Sequence, residues 1–199
     1  DQVKTKALDA LAFAQQQKWK DQEVVVRLLV AGALLKASRF GEAVVVYEAA
    51  RGAASQALAA AHPAGHKLVL QTWFGQAGAH FAAGQISEAA RCYDEAATVA
   101  QTDRNLILTI EAQRMGAFCR TRGGDFEGAV VCAQRALATG SLLKPEARGM
   151  TTLPVAAMDL LRAIEPERAH LLEGLKHGLD KRLVEVCSAF EGRIAAAGP

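Results

Sequence analysis

The sequence predicts an all-α protein: a right-handed stack of antiparallel helix hairpins, an α-solenoid closed by a C-terminal capping helix. Three observations carry that prediction. Half of the 199 residues are apolar (51%), alanine is prominent, and prolines number only five. Alanine is the strongest helix former and lets helices approach closely, whereas proline breaks them. Apolar residues recur at helical spacing, and strand-like alternation is scarce. Finally, one fragment is written three times, as FGEAVVVYEAA from Phe40, ISEAARCYDEAA from Ile86 and FEGAVVCAQRALA from Phe126.

Taken in order, the first helix lies within an N-terminal segment, residues 1–20, where Val3, Ala7, Leu8, Leu11 and Ala14 share one face. A second follows over 21–36; its VVV would suit a strand, but the continuation RLLVAGALLKA is too long for one. After the tight ASRF connection a third helix is expected over 41–61, ended by HPAGH, and a fourth over 64–83. Gly84 sits where a helix stops in a left-handed cap, and Ser87 is placed to cap a fifth helix over 87–101. Thr102 or Asp103 is the expected cap of a sixth, running to about residue 121, and Asp125 caps a seventh that ends near Gly140. Residues 141–199 differ. Pro145, Pro154 and Pro166 interrupt the first part, and a long helix then carries Leu172, Leu175, Leu179, Leu183, Val186, Phe190 and Ile194 on one stripe.

Aligning the three fragments makes Ala43, Ala89 and Ala129 equivalent, 46 and then 40 residues apart. Each alanine opens a helix after a short turn, and another helix precedes it. The recurring element is therefore a helical hairpin, three of which fill residues 21–140. A lone hairpin cannot bury its apolar face, so neighbours must stack. The small residues are read as packing devices, with Tyr47 and Tyr93 filling the space beside them.

The second helices resemble those of the tetratricopeptide repeat family. Ala43, Tyr47 and Ala50 match Ala89, Tyr93 and Ala96, and the third copy has Ala129, Ala133 and Ala136, with the aromatic replaced. Small residues also stand twelve before each marker, at Ala31, Ala77 and Ala117, and Ser38, Gly84 and Gly124 occupy the turns. The intervals exceed the usual repeat of about 34 residues, and the family's closing proline is absent. The resemblance implies a curved stack whose first helices line a concave face that binds a partner peptide or helix. Carried across by position, that face comprises Leu28, Leu35 and Lys36, then Gln71, Phe74 and Phe81, then Glu111, Arg114, Phe118 and Arg122. Aromatic and arginine residues dominate binding hot spots. The competing reading packs these aromatics against the first helix or the tail. Gly32, Gly78 and Phe118 follow the marker small residues, so the asparagine-bearing clamp that some members use on chaperone tails is not expected.

Other chemistry finds little support. With 23 Lys+Arg against 21 Asp+Glu and no run of like charge, no nucleic-acid partner is expected. No apolar stretch reaches the roughly 18–20 residues of a membrane span, and DQVKTKALDALAFAQQQ lacks a signal peptide's apolar block and cleavage site. Cys92, Cys119, Cys132 and Cys187 form no C-x-x-C pair, which argues against structural zinc and suits a reducing, cytoplasmic setting. His62 and His66 flank Pro63 and Gly65, so they are read as solvated loop residues rather than metal ligands. His80 could meet Cys119 or Cys92 only if stacking permitted, and TRGGD lacks the strand and lysine of a phosphate loop. No catalytic residues, metal or cofactor are expected. The function read from the sequence is a non-catalytic interaction module: an adaptor, chaperone or scaffold for a protein or peptide partner. The alternative is a peptide-sensing regulatory domain that controls a partner or an effector domain. The apolar tail stripe is expected to cap the stack, or else to pair with a second copy as a homodimer.

Overall fold

The computed structural model describes residues 20–143 and the isolated positions Asp9, Ala12, Phe13 and Gln16. The remainder of the expected N-terminal helix, the Pro-interrupted segment beyond residue 143 and the stripe-bearing helix over 166–197 lie outside the described residues. Within them every regular element is a helix: α1 Lys20–Lys36, α2 Phe40–Ala59, α3 Gly65–Ala82, α4 Ile86–Thr102, α5 Leu106–Arg122 and α6 Phe126–Ser141.

Each helix expected over these residues is present, but two caps differ from expectation. Gln85, not Ser87, is the N-cap of α4, and Ser87 falls inside the first turn. The N-cap of α5 is Asn105, whose side chain accepts a hydrogen bond from the Leu108 N–H at 3.1 Å. Thr102 and Asp103 are unavailable for that role because α4 continues through Thr102 and Asp103 closes it; the chain then turns left-handed at Arg104 (φ 55°). Asp125 does cap α6, accepting from the Gly128 N–H at 2.9 Å.

The chain divides into two compact units, residues 1–103 and 104–199. In the first, α1 packs on α2, α2 on α3 and α3 on α4, and α1 also touches α3. In the second, α5 packs on α6.

Three hairpins, α1–α2, α3–α4 and α5–α6, share one turn. In each the residue five before the marker alanine has a positive φ: 57° at Ser38, 77° at Gly84 and 79° at Gly124. Its N–H and the next one bond back to the preceding helix, as Ser38 to the Leu35 carbonyl, Gly84 to Phe81 and Gly124 to Thr121, all at 3.0–3.2 Å. This paired closure satisfies carbonyls that the helix end would otherwise leave without partners. The N–H groups of Ala43, Ala89 and Ala129 then bond to the carbonyls of Arg39, Gln85 and Asp125, each at 3.0 Å, and start the second helix. Ala31, Ala77 and Ala117 are buried to 0%, 0% and 7% exposure, and Ala43, Ala89 and Ala129 to 0%, 0% and 1%. The repeat inferred from the sequence is thus a repeat of backbone geometry.

The side chains at one equivalent position vary over that constant frame. Leu34 in α1 corresponds to His80 in α3 and Arg120 in α5. Where the residue is polar, it ties the helix end to the N-cap of the next helix. His80 Nδ1 lies 2.7 Å from Gln85 Oε1, and Arg120 Nε lies 3.5 Å from Asp125 Oδ2. Both polar groups are largely withdrawn from water and need such partners.

Packing between α2 and α3 joins the first two hairpins. Tyr47 of α2 is buried and lies directly on the α3 backbone at Gly75, where an added Cβ would sit 2.2 Å from its Cε1. The Arg51 guanidinium carbon sits 4.2 Å from the centroid of the Trp73 ring, and Gln76 donates to Glu48 at 3.3 Å. Gly65 makes a second close approach, its missing Cβ position being 2.7 Å from the Leu58 Cα.

Candidate functional site

The residues expected on the binding face fall into two sets, one in each compact unit. In the first unit Lys36 is exposed at the C-terminal end of α1, and Gln71 is exposed on α3. Phe74 and Phe81 are half-buried on α3. Phe74 stacks edge-on against Tyr93 of α4, with centroids 5.8 Å apart and planes at 69°. Much of that ring therefore serves the hairpin interior; its packing partner is α4 of the same hairpin. Leu28 and Leu35 are half-buried against the core cluster of Ala31, Ala43, Tyr47 and Ala79.

In the second unit Glu111, Arg114, Phe118 and Arg122 follow one stripe of α5 at spacings of 3, 4 and 4. Arg114 engages Glu111 in a two-pronged ion pair at 2.6 and 3.1 Å, with both side chains partly in water. The Arg122 guanidinium lies over the Phe118 ring at 5.6 Å from its centroid. Such i,i+3 and i,i+4 contacts hold long side chains in place on the helix surface. The result is an ordered stripe alternating carboxylate, guanidinium and ring.

Sequence reasoning passed over several exposed apolar residues on the same faces. Leu29 is 70% exposed and Val25 42% exposed on α1, and Ile107 is 57% exposed on α5. Their signal was present: Val25, Leu29, Gly32 and Lys36 share one side of α1, and Ile107 stands four residues before Glu111. Periodicity alone gave no means of telling an apolar residue on this side from one in the core.

Among the described residues the cysteines, Cys92, Cys119 and Cys132, are all buried. Burial pushes the Cys92 thiol up and the Cys119 thiol up to about 11, so both stay protonated at neutral pH. Cys132 is buried and accepts a hydrogen bond from Arg120 Nη1 at 3.0 Å. His62 lies in the loop after α2, where its Nδ1 accepts from the Ala64 N–H, while His66 belongs to α3. The two histidines face different carboxylates, Asp21 at 3.9 Å and Asp103 at 4.0 Å. No group of three or more His, Cys, Asp or Glu side chains suited to a metal occurs among the described residues. No described helix is long and apolar enough to cross a membrane.

Comparison of the chain with protein-family models, with curated proteins and with solved structures found no match in any of the three.

Proposed function

We propose that the chain is a non-catalytic protein-protein interaction module of tetratricopeptide-like kind. In this reading the hairpins are of the kind that right-handed solenoids are built from, and the first helix of each offers a face that takes a peptide or helix of a partner. Adaptor, chaperone and scaffold roles all use such a face. A cytoplasmic setting suits its buried free thiols.

The observation that carries the proposal is the exposure of large apolar side chains on the first helices, beside ordered ionic groups. Single exposed apolar residues are ordinary on protein surfaces. Val25 and Leu29, however, share a stripe with Lys36, and Ile107 shares one with Glu111, Phe118 and Arg122. A surface that mixes apolar anchors, aromatic rings and arginine has the composition of a recognition face.

Affinity capture from the native source, read by quantitative mass spectrometry, tests the proposal. The full chain is compared with a Leu29→Glu/Arg122→Glu variant whose melting temperature is unchanged, both sites being exposed. Proteins held by the parent and lost by the variant are the expected result. Equal capture by both, or a purified chain that turns over a substrate, would overturn it.

A further inference from the structure

We propose that the side of α6 turned away from α5 is covered by the chain's own residues 154–162, acting as the first helix of a fourth, degenerate hairpin whose second helix begins at Pro166. This rests on the hairpin-stacking part of the reading above and names what closes the open end.

The first reason is a leucine that α6 buries on a side its own hairpin does not reach. Two contacts mark the side that faces α5: Arg120 Nη1 donates to Cys132 Sγ at 3.0 Å, and Thr139 Oγ1 donates to Gln113 Oε1 at 3.3 Å. At about 100° per residue, Leu137 points about 140° away from Cys132 and about 160° away from Thr139. It is nevertheless only 5% exposed. The first unit shows what stands at this position. Leu137, eight residues after its marker alanine, corresponds to Arg51 of α2. The Arg51 guanidinium lies over Trp73 of α3, the first helix of the following hairpin. Four residues after the marker, Tyr47 meets α3 as well, at Gly75, and its counterpart Ala133 is buried. The burial of α6 is thus that of a second helix with a further first helix beyond it.

The chain beyond residue 143 carries the marks of such a hairpin at the established interval. Ala157 follows Ala117 by 40 residues and Ala169 follows Ala129 by 40, the spacing between the second and third units. The helices α2, α4 and α6 each start three residues before the marker, at Phe40, Ile86 and Phe126. The fourth counterpart is Pro166, and proline is favoured at a first helical position. Pro154 suits the start of a first helix shorter than α3 or α5. The facing pairs also match. Where the large Tyr47 meets the small Gly75, the counterparts are the small Ala133 and the larger Val155; where Arg51 stacks on Trp73, they are Leu137 and Leu153, both apolar. Leu172 and Leu179 fall at the positions of Cys132 and Thr139, the side by which a second helix meets its own first helix. The start of the apolar stripe therefore has a place inside the hairpin. Only the turn departs from the pattern: Ile164 stands where Ser38, Gly84 and Gly124 have a positive φ, a conformation that β-branched residues disfavour. Terminal repeats are commonly atypical in this way.

Thiol cross-linking of the full chain tests the proposal. Packed helices lie about 8–10 Å apart, within reach of a short bismaleimide. Leu137→Cys/Leu153→Cys should give an intramolecular link between positions 137 and 153, located by peptide mass spectrometry, and Leu137→Cys/Leu179→Cys should give no link from 137 to 179. A link from 137 to 179 would put the apolar stripe itself on α6, and a link between two chains would put a second copy there. A thiol at position 137 that is alkylated as fast as an exposed cysteine would leave that side open. Each of these three results overturns the proposal. Should a thermal melt show that the substitution at 137 disturbs the fold, Ala133→Cys/Val155→Cys reads the same contact one turn away. Hydrogen exchange on the parent chain needs no substitution: protected amides over 157–162 are expected, and exchange there at the free-peptide rate overturns the proposal. The capture experiment reads a different surface. A lost partner with the link intact rejects the binding reading alone, and a missing link with the partner retained rejects only the fourth hairpin.

Discussion

Two glycines on neighbouring turns of α3 should respond to the same substitution with opposite signs. At Gly75 the Cβ of an alanine would lie 2.2, 2.5 and 2.9 Å from three ring carbons of Tyr47. Ordinary carbon contacts are about 3.5–4.0 Å, so the ring or the helix must move by more than about 1 Å. Tyr47 is only 6% exposed and is held in the core cluster with Ala31, Ala43 and Ala79, which leaves little room for that movement. Overpacking of this kind costs about 1–3 kcal/mol, and a direct overlap with a buried ring belongs near the upper end. Alanine returns up to about 1 kcal/mol of helix propensity, so Gly75→Ala should destabilise by about 2 kcal/mol net. Gly78→Ala meets nothing within 4 Å and keeps only the propensity gain, about 0.5–1 kcal/mol of added stability. Urea denaturation followed by helical circular dichroism measures both as shifts in midpoint at constant slope. A double-mutant cycle isolates the cause. In a Tyr47→Ala background the penalty at Gly75 should vanish, giving a coupling of about 2–3 kcal/mol. If Gly75→Ala and Gly78→Ala move the midpoint in the same direction, or the penalty persists without the Tyr47 ring, the close packing of α2 on α3 is not what excludes a side chain at Gly75.

Further outcomes follow from the same geometry. Ala89→Leu should lower stability by about 1–3 kcal/mol on denaturant unfolding, because Ala89 is fully buried and extra methylenes there force strain; an unchanged midpoint would contradict its place in the hairpin contact. Ser38→Gly should raise the melting temperature, since a non-glycine residue at φ 57° carries a cost of about 1–2 kcal/mol, and Gly84→Ala, at φ 77°, should lower it. The Cys119 thiol, raised to about 11 by burial, keeps its proton in the folded state above the pH near 8.5 at which an unfolded thiol releases it. Its contribution is therefore fully present below about pH 8.5 and is lost as pH rises through about 11. A Cys119→Ala variant should show a smaller fall in stability between those limits. Asp125→Ala should cost about 1 kcal/mol through loss of the cap on α6, measured against the parent by the same unfolding assay.

Helix order, the three hairpins and the equivalence of Ala43, Ala89 and Ala129 were legible in the chain because each is a local property. Helical periodicity, small residues at fixed offsets and glycine in the turns all act over a few residues. The positive φ at Ser38 marks the same turn written without glycine, and only alignment with Gly84 and Gly124 made it visible. The caps were less legible: Ser87 and Thr102 have suitable side chains, but the chain's path at Gln85 and Arg104 decides which residue precedes the first helical one. For the candidate face, sequence position placed Lys36, Gln71, Phe74, Phe81, Glu111, Arg114, Phe118 and Arg122 on the first helices. The tertiary structure decided what each does there. It turned Phe74 onto Tyr93, set Arg114 on Glu111 and left Leu29 in water. It also separated three glycines that look alike in sequence. Gly75 lies under a ring from α2, whereas Gly32 and Gly78 face open space. That difference depends on which helix comes to lie against which, a contact between Tyr47 and a residue 28 positions later, and no local pattern encodes it.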